Sequence, residues 1–208
     1  MKLFVRVMAL TVAILVAAVS VMSCGYDYTE EEVVKAAKKL IKGSYEINVI
    51  YFGKGLPISE EESEAAKKFA EENGLSLENV QFLPVTEDSP YFTVEDIKKA
   101  TNKVYSESYC EYLYKMAFEG YSTEDGYAAV YAKYLEDESG TLTVRIDLAD
   151  NELPARTYDL DSIKIESKKE AEVVISVVSY LNGEKEDKSV SLTLVKEENG
   201  WRLDSPTY

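Results

Sequence analysis

The spacing of apolar residues changes once along the chain, and this change constrains the fold more than any other feature. Before Gly120, apolar residues recur at helical intervals, and after Gly126 apolar and polar residues alternate as in a half-buried strand. The clearest helical stripe is Val33, Ala37, Leu40, Ile41, Tyr45 and Val49. Helices first and strands second predict an α+β fold, a single elaborated domain whose N-terminal helices pack on a curved antiparallel sheet.

Capping signals predict where the helices begin and end. Thr29 and Glu32 have the spacing of a capping box, so a first helix should run from there to about Gly53. Ser59 should begin a second helix, which Gly74 ends. A third should start after Thr93 and continue, with a break at 106–108, to Gly120.

Turn signals predict an antiparallel meander in the second half of the chain. The expected strands are 130–135, 142–148, 158–165, 173–181, 190–195 and 201–203. Asn182-Gly183 and Asn199-Gly200 are typical of two-residue hairpin turns, in which both residues need a positive φ.

The N-terminus has the pattern of an export signal. Lys2 and Arg6 precede an apolar run over 9–21, which is 13 residues long, whereas a membrane-spanning helix needs about 20. The next residues, Val21-Met22-Ser23-Cys24, resemble the lipobox of bacterial lipoproteins. That resemblance implies removal of the signal peptide 1–23, acylation of Cys24 (a palmitate-type lipid) and a tether over 24–28. The protein would then be extracytoplasmic and anchored to the bacterial cell membrane through lipid.

Composition excludes several functions. The net charge of −15 disfavours nucleic acid as a partner, because such a surface repels phosphates. The sequence has no histidine, which removes the Ser-His-Asp and Cys-His arrangements and the common zinc sites. With Cys24 lipidated, Cys110 is left alone as a small buried residue, and no disulfide framework exists. We therefore expect no catalytic residues, no metal and no cofactor.

Tyrosine is unusually frequent, at 16 residues, and most tyrosines should pack in the core. Tyr105, Tyr109 and Tyr112 would share one helical face, which fits either core packing or an aromatic groove for a glycan or a protein. The loop 119–127 is harder to explain as core, because its tyrosines alternate with flexible polar residues. We predict that it binds a partner through Glu119, Tyr121, Glu124, Asp125 and Tyr127.

Several short segments resemble the bacterial inhibitors of cell-wall DL-endopeptidases. They are Tyr51-Phe52-Gly53, Phe82-Leu83-Pro84 and 92–97 leading to Val104-Tyr105, and the strands ending at Gly200-Trp201-Arg202-Leu203 look like the cone-shaped sheet of NTF2-like domains. The candidate boundary near residues 84–92 predicts an N-terminal helical lobe over 29–91 and a domain over 92–208, and the resemblance implies that this domain is NTF2-like. It also implies a non-catalytic protein that binds a peptidoglycan hydrolase and blocks its active site.

Two other classes of function stay open. The concavity of the sheet could hold a small molecule or a glycan, which would make the chain a ligand-binding lipoprotein. An enzyme would have to depend on a carboxylate pair, and no pair stands out among the 38 acidic residues.

Overall fold

The computed structural model describes residues 27–76, 82–122, 129–149 and 152–208. The first helix, α1, spans Glu30–Phe52. The Thr29 side chain accepts a hydrogen bond from the Glu32 amide, and the Glu32 carboxylate accepts one from the Thr29 amide at 2.7 Å. Gly53 ends the helix, so both predicted boundaries are confirmed.

Three further α-helices follow. Helix α2 spans Glu60–Glu72, α3 spans Val94–Thr101 and α4 spans Glu107–Tyr114. Each is capped by the side chain that precedes it, as predicted for Ser59 and Thr93, and Ser106 makes the predicted break between α3 and α4. A π-helix, Lys115–Glu119, continues α4.

All strand pairs in the described ranges are antiparallel. The larger sheet consists of β6 (Arg156–Lys168), β7 (Glu172–Leu181), β9 (Val190–Glu197) and β10 (Gly200–Leu203), in the order β10-β9-β7-β6. The short β8 (Glu184–Lys185) also pairs with β7. A smaller sheet consists of β1 (Phe82–Pro84), β4 (Tyr134–Glu136) and β5 (Leu142–Arg145), in the order β1-β5-β4. Strands β2 (Tyr121–Ser122) and β3 (Ala129–Val130) form a separate pair. The predicted α+β class is confirmed.

Some predicted strand boundaries were wrong. The segment 142–148 is a strand only to Arg145, and Ile146–Leu148 forms a 3₁₀-helix. The segment 130–135 is interrupted between β3 and β4 because the Lys133 amide bonds to the Ala117 carbonyl of the π-helix and not to a strand. Alternation of residue types does not reveal such a contact.

The two Asn-Gly turns also differ from each other. Asn182 and Gly183 have φ of 52° and 85°, as the predicted turn requires. At the second turn only Gly200 has a positive φ, at 105°. Gly200 pairs with Glu197, so the glycine belongs to β10 and takes the left-handed position that follows a short loop. The prediction for Asn199 was therefore wrong.

One hydrophobic core joins α1, α3, α4 and the two larger sheets of the described ranges. One face of β7 and β9 is completely buried in this core, and its members are Val173, Ile175, Val177, Leu192 and Leu194. Tyr134 and Leu142 of the smaller sheet and Ile97 of α3 belong to the same core. The predicted division into a 29–91 lobe and a 92–208 domain stays a prediction, although residues from both ranges share this core.

Three smaller expectations can also be compared with the structure. Cys110 is 1% exposed, so its predicted burial is confirmed. Val49, expected on the apolar stripe of α1, is 45% exposed and lies outside the core. No helix in the described ranges combines the length and the apolar character that crossing a bilayer requires.

Candidate protein-binding surface

The predicted partner-binding loop is described only at its start. Glu119 is exposed at the end of the π-helix, and Tyr121 is half-buried in β2. Gly120 separates them with a φ of +70°, and a Cβ there would lie 2.6 Å from the Val130 carbonyl oxygen. Only glycine fits this reversal, which turns the chain from the helix into β2.

The other predicted residues lie outside the described ranges. These are Glu124, Asp125 and Tyr127 of the loop, and Cys24 at the lipobox. Their assignments stay predictions.

The half-buried Tyr121 lies beside an exposed tyrosine of α4. Tyr112 of α4 is 48% exposed. Burial, followed by the neighbouring Tyr121 hydroxyl, raises the pKa of the Tyr112 phenol above its usual value. The Lys115 ammonium lies 5.7 Å from the centre of the Tyr121 ring, a cation–π distance. Helix α4, the π-helix and β2 thus bring their side chains together at the start of the loop.

Further aromatic residues extend this group across the end of α1. The Phe52 and Tyr208 rings stack with their centres 3.8 Å apart, and the Tyr109 and Tyr112 rings are 6.3 Å apart. Burial and a hydrogen bond with Tyr208 raise the pKa of the Tyr109 phenol far above its usual value. We call this group the aromatic surface: Phe52, Tyr109, Tyr112, Tyr121 and Tyr208.

A buried polar network fixes the aromatic surface at its C-terminal end. Thr207 is 1% exposed, and its hydroxyl accepts a hydrogen bond from the Asn48 side-chain amide at 2.9 Å and donates one to Ser44 at 2.7 Å. The Tyr105 hydroxyl donates a hydrogen bond to the side-chain amide oxygen (Oδ1) of Asn48 at 2.7 Å. Ser44 and Asn48 belong to α1, and Tyr105 precedes α4. Their hydrogen bonds therefore attach the C-terminal segment that ends at Tyr208 to the helices.

Sequence reasoning found part of this surface and missed the rest. Tyr121 was predicted, and Tyr109 and Tyr112 share a helical face as predicted. The prediction was wrong for Tyr105, which precedes α4, forms a bridge with Leu203 and is 1% exposed. Phe52 and Tyr208 were missed because they meet only through the tertiary fold. No local pattern relates the end of α1 to residue 208.

The described residues contain no group of three carboxylates and thiols that could hold a metal ion. The turn at Asp137 is closed from within, because its carboxylate accepts hydrogen bonds from the Ser139 and Thr141 amides at 2.8 and 2.9 Å. The hydrogen bond from the Ser139 side chain, with those amides, lowers the pKa of Asp137. These bonds stabilise the β4–β5 turn.

Comparison with known proteins adds no family to this description. The sequence matches no protein-family model, and no curated protein matches it significantly.

Proposed function

We propose that the chain is a lipid-anchored extracytoplasmic protein without catalytic activity, which binds a peptidoglycan hydrolase and inhibits it. The observation that carries the proposal is the aromatic surface, which includes Tyr121 at the start of the acidic segment 119–127. Exposed tyrosines provide large contact areas with few rotatable bonds, and tyrosine is enriched among the residues that dominate binding energy. The acidic residues Glu119, Glu124 and Asp125 would attract a basic substrate cleft and speed the encounter.

The packing of the larger sheet favours this proposal over a ligand pocket in its concavity. The core-facing residues of β7 and β9 are 0% exposed, as are Val33, Ala37 and Ile41 of α1 in the same core. A ligand on this face of the sheet would have to displace several buried apolar side chains, each worth about 1.5–3 kcal/mol.

Inhibition is tested with the full-length chain in detergent micelles and a panel of cell-wall endopeptidases. Digestion of purified peptidoglycan should slow as the chain is added. Tyr121→Ala should mainly speed dissociation of the complex, whereas neutralising Glu119, Glu124 and Asp125 together should slow association and flatten its salt dependence.

Phe69→Ala is the matched control for the aromatic variants, because Phe69 is 54% exposed on α2 and does not belong to the aromatic surface. It should inhibit as well as the unaltered chain. Undiminished digestion by every enzyme of the panel would defeat the inhibitor proposal.

The anchor is tested separately. Cys24→Ser should abolish labelling by a radioactive fatty acid and shift the chain from the detergent phase to the aqueous phase, because a hydroxyl does not replace the thiol in the lipobox reaction. Labelling of the serine variant at the same level would remove Cys24 as the attachment point.

A further inference from the structure

Two buried side-chain atoms of the edge strand β6, the Arg156 Nε and the Tyr158 hydroxyl oxygen, have no hydrogen-bond partner in the described ranges. The two residues are separated by one position in the strand, so their side chains lie on the same face of the sheet. Tyr158 is 8% exposed and belongs to the core, so this is the inner face. Buried polar atoms without a partner are unfavourable and uncommon in folded proteins.

The polar neighbours of these two atoms already have partners. Arg156 Nη2 donates a hydrogen bond to one Glu186 carboxylate oxygen at 3.2 Å, and Nη1 donates to the Tyr208 main-chain oxygen at 3.3 Å. The Ser179 hydroxyl donates to the other Glu186 oxygen. Both oxygens of Glu186 therefore accept a hydrogen bond already, and the Arg156 Nε–H and the Tyr158 O–H are left as two donors on one face.

The chemistry of the two donors favours a neutral oxygen acceptor. Burial raises the pKa of the Tyr158 phenol above its usual value, although the Arg156 guanidinium opposes this rise, so the phenol keeps its proton at neutral pH. The guanidinium Nε–H can only donate. Because Glu186 already balances the charge of Arg156, an added carboxylate would lie near Glu186 with no cation left to pair with it. An uncharged carbonyl oxygen avoids this repulsion.

The two donors lie close to the solvent-exposed edge of the sheet. The side chains of Arg156 and Glu186 are 23% and 28% exposed, whereas the Arg156 Nε and the Tyr158 hydroxyl are themselves buried. The Tyr45 ring of α1 lies nearly parallel to the Tyr158 ring, with their centres 6.5 Å apart. A small group that enters beside Arg156 would reach both donors at the edge strand, outside the completely buried face of β7 and β9.

We propose that Arg156 and Tyr158 form a subsite that binds the amide carbonyl oxygen of a small neutral ligand. The oxygen accepts one hydrogen bond from the Arg156 Nε–H and one from the Tyr158 hydroxyl. Such an oxygen is present in the N-acetyl group of an amino sugar and in a peptide bond. Arg156 contacts the aromatic surface through Tyr208, but the subsite does not require that a hydrolase be inhibited.

The probes are N-acetylglucosamine and N-acetylalanine methylamide, each titrated into the isotope-labelled full-length chain in detergent micelles. The Arg156 Nε–H signal should shift with saturation for at least one of them. Glucose, which lacks the amide, should leave the signal unchanged. A response to the sugar alone, to the peptide alone or to both would identify the source of the carbonyl group. Absence of a saturable shift with both amides at millimolar concentrations would overturn the proposal and leave an ordered water as the occupant.

Tyr158→Phe removes one donor and keeps the ring in the core, and it should weaken binding about 3- to 10-fold because one hydrogen bond is lost. Arg156→Lys keeps a charge for Glu186 but removes the Nε–H, and it should weaken binding as well. Tyr180→Phe is the matched control. Tyr180 pairs with Thr157, which lies between the two donors in β6, so its side chain is on the opposite face of the sheet and its loss should leave binding unchanged.

The melting temperature of the ligand-free chain provides a second readout. Tyr158→Phe should leave it unchanged or raise it, because the hydroxyl that is removed has no partner before the ligand binds. A larger fall than in Tyr180→Phe would show that the protein or a bound water already satisfies this hydroxyl, and it would overturn the proposal. Equal binding of the amide probe to Tyr158→Phe and to the unaltered chain would do the same.

Discussion

Tyrosines serve two different purposes in two regions of this molecule. In the core, Tyr51, Tyr105 and Tyr134 are at most 5% exposed, and each hydroxyl has an internal partner: Thr101 at 3.0 Å, Asn48 at 2.7 Å and the Ile50 carbonyl at 2.7 Å. On the aromatic surface the tyrosines contact one another and stay partly exposed. The comparison teaches that burial of the ring, rather than the residue type, separates a stabilising tyrosine from one available to bind.

Removing the ring of a core tyrosine should have the largest effect on the free energy of unfolding. Tyr134 is completely buried, donates to the Ile50 carbonyl and accepts from the Leu56 amide at 3.2 Å. Tyr134→Ala should lower the free energy of unfolding by about 3–5 kcal/mol, because it creates a cavity and leaves the Leu56 amide without its partner. Denaturant unfolding measures this. A loss below 1 kcal/mol would contradict the division into two sets of tyrosines.

Removing only the hydroxyl of a core tyrosine should lower the free energy of unfolding by a smaller amount. The Tyr105 hydroxyl lies within hydrogen-bonding distance of both Asn48 and Thr207. Tyr105→Phe would therefore remove one hydrogen-bond partner from each of these two buried side chains. We expect a loss of about 1–3 kcal/mol in the free energy of unfolding. Tyr131→Phe is the control, because Tyr131 is 48% exposed, and it should change stability by less than about 0.5 kcal/mol.

The sequence could predict the elements of this fold better than the contacts between them. The caps at Thr29, Ser59 and Thr93 act within one helical turn, so their patterns are visible locally. The stacking of Phe52 on Tyr208 and the exposure of Val49 depend on residues far away in the chain. Charge and tyrosine content therefore pointed to the 119–127 loop, while the remainder of the aromatic surface required the tertiary structure.

The pH dependence of stability should distinguish the core tyrosines from the buried Lys133, which lies beside Tyr134. Lys133 is 4% exposed, its ammonium donates to the Gly53 carbonyl, and its burial lowers its pKa from 10.5 to about 8. Between these values the unfolded chain binds a proton that the folded chain has released, so stability rises with pH. The pKa of Tyr105 is raised by burial from 10.0 to about 12, so its contribution is lost as pH rises from 10 towards 12.

We therefore expect the free energy of unfolding to rise by about 1 kcal/mol from pH 7 to pH 9 and to fall above pH 10. Lys133→Met should remove the rise and keep the fall. Urea titrations at each pH provide the measurement, and an unchanged rise in the methionine variant would show that another group is responsible.

The smallest effect on stability should come from the aromatic surface, where the effect on binding should be largest. Tyr112 is 48% exposed, and its ring borders Tyr109 and Tyr121 without filling the core. Tyr112→Ala should change the free energy of unfolding by less than about 0.5 kcal/mol, since truncation at an exposed position leaves no cavity. The same change should weaken binding to an inhibited hydrolase by about 2 kcal/mol or more, roughly a 30-fold increase in Kd, if the ring is a central contact. Unaltered binding together with unaltered stability would place the partner elsewhere, whereas a large loss of stability would make Tyr112 a core residue and remove the distinction between the two regions.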